Sequence, residues 1–241
     1  MRALVSALVC GLAIVTTPAR AETIIAAEYA EPTERYDHGV LGDAIEWGAL
    51  RLTLSPCADC TEQAERVVTL HLPEHRVFED VAPRVVDVGE DGPLVMVVES
   101  DLSKGARLAL YDTTGPVAVT PFIGQRNRWL APVGAADLDG DGKVELAYVD
   151  RPHLAKTLRI WRYEEGNLQE VASLPGVTNH RIGEPDIAGG IRTCGAGPEM
   201  IVASADFSRM LALQFDGKTV TARDIGSHEG RAGFAAALEC S

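Results

Sequence analysis

An all-β fold is predicted for this 241-residue chain, and three observations predict it. Short apolar runs of strand length recur along the chain with turn glycines between them. The runs repeat at a period near 50 residues. Ala, Val and Leu are abundant while aromatic residues make up only 5%, which suits small side chains packed between stacked sheets.

The repeat aligns on an aspartate that ends an apolar run. Val85-Val86-Asp87, Ala135-Ala136-Asp137 and Glu184-Pro185-Asp186 lie 50 and then 49 residues apart. After each comes a second strand, at 94–101, 146–150 and 200–206, and then a third, at 108–111, 158–161 and 211–215. Each third strand reaches a turn glycine, Gly115, Gly166 or Gly217, spaced 51 and 51. A more polar fourth strand follows, as at 168–174. Four short strands per period of this length are the signature of a β-propeller blade.

The two ends of the chain are expected to complete the ring. Residues 22–29 read as a second strand, 50–54 as a third and 67–72 as a fourth. That unit lacks its first strand, and 233–239 at the C-terminus has the character to supply it. The expectation is a small propeller of four blades, closed by N- and C-terminal strands paired in one blade. Five blades is the alternative if the N-terminal segment packs separately.

Residues 1–21 read as a signal peptide. Arg2 gives a positive start, 3–15 is an apolar run, and Ala19-Arg20-Ala21 is an A-x-A cleavage site. The run is too short for a stable membrane anchor, although a retained N-terminal anchor is the alternative. Val9 before Cys10 argues against lipidation there. The expectation is a periplasmic or secreted monomer, with residues 22–241 forming one domain and no insertion into a membrane.

Charge narrows the partners. The chain has 22 Lys+Arg against 35 Asp+Glu, a net charge of −13. Residues 1–21 hold two arginines and no acid, so cleavage would take this to −15. Such a chain repels nucleic acid and anionic membranes. A cation, a protein or a small ligand is the partner to expect.

Four cysteines follow the signal: Cys57, Cys60, Cys194 and Cys240. An even number in an exported protein reads as two disulfides. The expected pairs are Cys57–Cys60 and Cys194–Cys240. Cys57-Ala58-Asp59-Cys60 also has redox spacing, but it lies between strand-like runs rather than opening a helix that would lower the thiol pKa.

The most specific chemistry lies at 137–145, Asp-Leu-Asp-Gly-Asp-Gly-Lys-Val-Glu. Alternating carboxylates converge only if the backbone curls, and Gly140 and Gly142 let it curl. Oxygen-only donors suit Ca²⁺ better than zinc or copper. A solvated acidic turn holding no ion is the other reading.

Residues 135–149 resemble the FG-GAP/VCBS repeat, the blade type also found in the integrin α-subunit propeller. The resemblance implies a propeller whose loop between the first two strands of a blade holds Ca²⁺. It implies Asp137, Asp139, Asp141 and Glu145 as side-chain ligands and Lys143 as a carbonyl ligand. The corresponding stretch 87–91 lacks the second ligand and is too short, and 186–190 has lost every later carboxylate, so one Ca²⁺ is expected. By family, the implied role is a binding or interaction module.

Strand order assigns loops to two faces. The acidic loop and the four cysteines fall on one. The other collects arginine and histidine, and loops from every blade converge at a propeller's mouth. Arg126, Arg128, Trp129, His180 and Arg181 are the candidate ligand-binding residues, with Tyr36 and His38 from the long insertion at 31–43. Structural ion pairs between blades are the competing reading of the arginines.

No G-x-S-x-G elbow, H-E-x-x-H or phosphate-binding loop occurs in the sequence. The expectation is therefore a binding module without catalysis and with no catalytic residues assigned. The alternative is a lyase or hydrolase using a His/Arg site at the mouth.

Overall fold

The computed structural model describes residues 22–56, 65–195 and 197–240. The expected signal peptide and the Cys57–Cys60 pair lie outside these residues. About half of the described residues are strand, arranged in three antiparallel sheets.

The first sheet has eight strands. They are β1 (Thr23–Thr33), β2 (Glu46–Ser55), β3 (Arg66–His71), β4 (Arg76–Phe78), β5 (Arg84–Asp87), β6 (Pro93–Asp101), β7 (Gly105–Tyr111) and β8 (Pro116–Val119). β1, β2 and β3 are consecutive neighbours, as are β6, β7 and β8. The short β4 joins the two groups: Phe78 pairs with Trp47 of β2, and Arg76 to Phe78 pair with Asp101 to Glu99 of β6. The first two expected units are thereby one continuous sheet.

The second sheet is the cleanest unit, in the order β12-β11-β10-β9. Its strands are β9 (Leu130–Ala136), β10 (Glu145–Asp150), β11 (Thr157–Glu164) and β12 (Asn167–Pro175). The third holds β13 (Val177–Thr178), β14 (Gly190–Thr193), β15 (Pro198–Ser204), β16 (Arg209–Phe215) and β17 (Val220–Ser227). Both β13 and β14 pair with β15, so its first strand is split. Glu184-Pro185-Asp186, the third alignment point of the repeat, lies in that split rather than at a strand end.

The C-terminal expectation is corrected. Residues 233–239 form no strand; they belong to a helix, α1 (Gly230–Leu238). The run Ala235-Ala236-Ala237-Leu238 favours helix by propensity, and Phe234 and Ala237, three positions apart, are its buried residues. The helix therefore cannot supply the missing first strand to the N-terminal unit.

Period-two alternation decides the packing. The central strands are buried on both sides, and odd and even residues enter different cores. On β6, Val95 and Val97 pack with Leu50, Leu52 and Leu54, while Met96 and Val98 pack with Leu130, Leu146 and Tyr148. On β10, Leu146 and Tyr148 face the first sheet, while Ala147 and Val149 meet Met200 and Val202. On β15, Ile201 and Ala203 turn the other way and take Phe234 and Ala237 of α1. The sheets thus stack in chain order, and the helix covers the last face.

Cys194 and Cys240 form a disulfide with Cα atoms 5.6 Å apart. It ties the end of α1 to the chain between β14 and β15.

Candidate functional site

The acidic loop joins β9 to β10. Gly140 and Gly142 have φ of 80° and 89°, the left-handed values that let the chain fold over its first aspartate. Asp137 organises the turn: Oδ1 accepts from the Gly140 and Asp141 amides at 2.7 and 3.1 Å, and Oδ2 from Gly142 N–H at 2.9 Å. The Lys143 amide donates to Asp141 Oδ1 at 2.9 Å. Glu145, the first residue of β10, is fully buried, and its Oε2 accepts from the Leu138 amide at 2.9 Å. Carboxylate oxygens of Asp137, Asp139 and Glu145 all lie within 4.8 Å of one another. This donor set can hold a metal ion.

A guanidinium already sits on two of these three carboxylates, those of Asp139 and Glu145. Arg162 of β11 stands directly opposite Glu145 in the ladder. Its Nε donates to Glu145 Oε1 at 2.6 Å, Nη2 to Asp139, and Nη1 lies 3.2 Å from Asp141 Oδ2. Burial raises the Glu145 pKa, against the pull of the Leu138 amide and Arg162. Lys143 turns its ammonium to Glu164 at 2.6 Å. Asp139 also reaches the β16–β17 turn, where a Cβ at Gly217 would fall 2.8 Å from its Oδ2. The loop thus bridges two sheets.

Most of the arginine and histidine candidates gather elsewhere, around the segment between β1 and β2. Tyr36 is buried and its hydroxyl accepts from the Asn127 amide at 2.9 Å. Asp37 pairs with Arg126 at 2.6 Å. His38 Nδ1 lies 2.5 Å from Glu79 Oε1. Gly183 N–H donates to the Val40 carbonyl at 3.0 Å. This one segment therefore touches the connections that follow β4, precede β9 and follow β13.

Beneath it lie the candidate Trp129 and three residues that pattern alone did not single out. Glu79 and Ser100 are fully buried and hydrogen-bonded to each other. Glu46 is 2% exposed, and burial, reinforced by the neighbouring Glu79 charge, pushes its pKa up to about 9. Trp129 is buried and donates from Nε1 to the Glu79 carbonyl at 2.8 Å.

His180 is buried rather than exposed at the surface. Its Nε2 lies 2.9 Å from the Glu184 carbonyl, and its Nδ1 lies 3.0 Å from His153 Nε2. A carbonyl only accepts, so His180 carries its proton on Nε2 and accepts at Nδ1. His153 must then donate from Nε2, which leaves its Nδ1 with a lone pair. Burial, followed by the neighbouring His180, pushes the His153 pKa down to about 4, and burial lowers that of His180.

The arginines divide. Arg126 is spent on Asp37. Arg181 lies 3.6 Å from Glu184 and stacks 3.7 Å from the Phe207 ring centroid, away from the His38 cluster. Arg128 has no carboxylate partner among the described residues. Glu79 and Glu46 had no legible signal: acids at strand ends look like ordinary surface residues until the chain is folded.

No family model matches this chain, and comparison with characterised proteins yields no match.

Proposed function

We propose that this chain is an exported, Ca²⁺-binding β-propeller of the FG-GAP/VCBS kind, with four blades, which works as a binding module rather than a catalyst. One observation carries the reading: the oxygens of Asp137, Asp139 and Glu145 converge in the turn between the first two strands of a four-stranded antiparallel sheet. The stacking of successive sheets through both faces of β6, β10 and β15 supports the propeller part. In a closed ring, α1 would stand where the last sheet meets the first.

The donors are hard oxygens throughout, which fits Ca²⁺. Asp137, Asp139, Asp141 and Glu145 would hold it, with the Lys143 carbonyl as the further ligand the motif implies. Bound, the ion supplies charge neutralisation and a rigid turn. The ion and the Arg162 guanidinium draw on the same oxygens, so binding exchanges one cation for another.

Thermal melts in EDTA and in excess Ca²⁺ test this. Ca²⁺ should raise the Tm, and Asp139→Ala should abolish the difference. Arg162→Gln should lower the metal-free Tm yet enlarge the Ca²⁺ shift, because the competitor is gone. A structural acidic turn predicts the opposite: Arg162→Gln would be destabilised equally with and without the ion. Absence of any shift in both wild type and Arg162→Gln sinks the proposal.

A further inference from the structure

Arg128 stands apart electrostatically. Each of the other arginines among the described residues has a carboxylate oxygen within 4.0 Å. Arg128 has none; its one side-chain hydrogen bond is from Nη1 to the Asn127 carbonyl, 3.2 Å away. Lys104, Lys156 and Lys218 also lack a carboxylate partner among the described residues, but Arg128 is half-buried and offers a planar, fixed fork to an outside anion.

It is also held in place. Asn127 has φ of 54°, a left-handed conformation that asparagine tolerates better than most residues. The Arg128 carbonyl accepts from the Ala106 amide at 2.8 Å. The side chain lines a cavity of about 30 Å³ together with His38, Asn127, Trp129, Arg151 and His153. Arg151, also left-handed at φ 45°, is committed to Asp150 through Nε and Nη2. Strained non-glycine residues of this kind persist where the surroundings over-determine them, and they cluster at binding sites.

Some of the remaining lining side chains offer acceptors. Asn127 Oδ1 is buried with no hydrogen-bond partner, an acceptor that the protein itself leaves unanswered. His153 Nδ1 keeps a lone pair because Nε2–H is spent on His180. His38, with Nδ1 committed to Glu79, has Nε2 left over. A space of this size takes about two water-sized groups, roughly the two oxygens of one carboxylate.

We propose that the His38–Arg128–His153 cavity takes the carboxylate of an acid whose neighbouring groups are hydrogen-bond donors, as in a sugar acid, with Arg128 on the carboxylate inside and His153 accepting from a neighbouring hydroxyl that stays outside it. A neutral sugar lacks the anion, and a simple fatty acid lacks the donors. An amino acid carries the same pairing, with ammonium in place of hydroxyl. The proposal is independent of the calcium reading, since none of these residues belongs to the acidic loop.

Isothermal titration calorimetry of the mature protein in excess Ca²⁺ tests it. The probes are galacturonate, galactose, glutamate and acetate. Galacturonate is expected to bind and galactose and acetate are not. Binding by glutamate instead would keep the carboxylate-plus-donor chemistry and identify the ammonium source. Arg128→Gln should weaken the binding about tenfold or more, as loss of a charged hydrogen bond does, while Arg51→Gln, which breaks an exposed strand pair with Glu28, should leave it unchanged. His153→Gln should weaken it less and keep the carboxylate requirement. Melting temperatures identify any variant that fails to fold, and in that case Arg128→Lys replaces Arg128→Gln and should restore part of the affinity. Failure of both acids to bind the folded protein overturns the proposal. So does equal binding by galactose, or binding that survives Arg128→Gln unchanged.

Discussion

Arg162 and Glu46 are each a residue whose surroundings set its chemistry. Arg162 reads in sequence as an ordinary exposed strand residue. Antiparallel register places it opposite Glu145, and the guanidinium becomes the counter-charge of Asp139, Asp141 and Glu145. Glu46 is the converse: a carboxyl with an unfolded pKa near 4.5, raised to about 9 by burial and by Glu79. The folded state therefore holds a proton that the unfolded state has lost. Its contribution is complete below about pH 4.5 and drains away as pH rises toward about 9. Glu46→Gln, which keeps the shape and removes the titration, should raise the Tm at about pH 8 by several degrees, given about 2–4 °C per kcal/mol. Near pH 5 it should change little. Equal shifts at the two values would show that Glu46 does not carry the linkage.

Among the elements, α1 is the one whose identity the alignment missed. An alanine-rich run next to a phenylalanine suits a buried strand or a helix, and periodicity over nine residues does not separate the two. The helix has no side-chain cap at its N-terminus and no basic residue in its last turn, so local terms do little for it. Packing of Phe234 and Ala237 on Ile201 and Ala212 holds it, together with the Cys194–Cys240 bond. Phe234→Ala should cost about 3–5 kcal/mol, read as a fall in denaturant midpoint. Reduction of the disulfide, which closes a 46-residue separation, should cost about 2–4 kcal/mol and lower the helical signal in circular dichroism first. An unchanged midpoint in Phe234→Ala would mean the helix is not docked.

For the whole molecule, the shared faces of β6, β10 and β15 imply cooperativity. Each strand contributes to two cores, so no sheet can lose its packing without stripping a neighbour. Leu146→Ala, in the core shared by the first and second sheets, and Val202→Ala, in that shared by the second and third, should each lower one common melting transition. Two resolved transitions, with each substitution moving only one, would show that the sheets fold separately.

The strand content and the acidic turn were legible in the sequence because they are local: alternation, turn glycines and carboxylate spacing act over a few residues. Asp137, Asp139 and Glu145 came together where their spacing placed them. Arg162 on that loop, the docking of α1 and the convergence of His38, Asn127, Arg128 and His153 were decided by the tertiary structure alone. Those contacts join residues from 17 to 115 positions apart, and strand register and sheet stacking choose such partners. No short-range propensity encodes them.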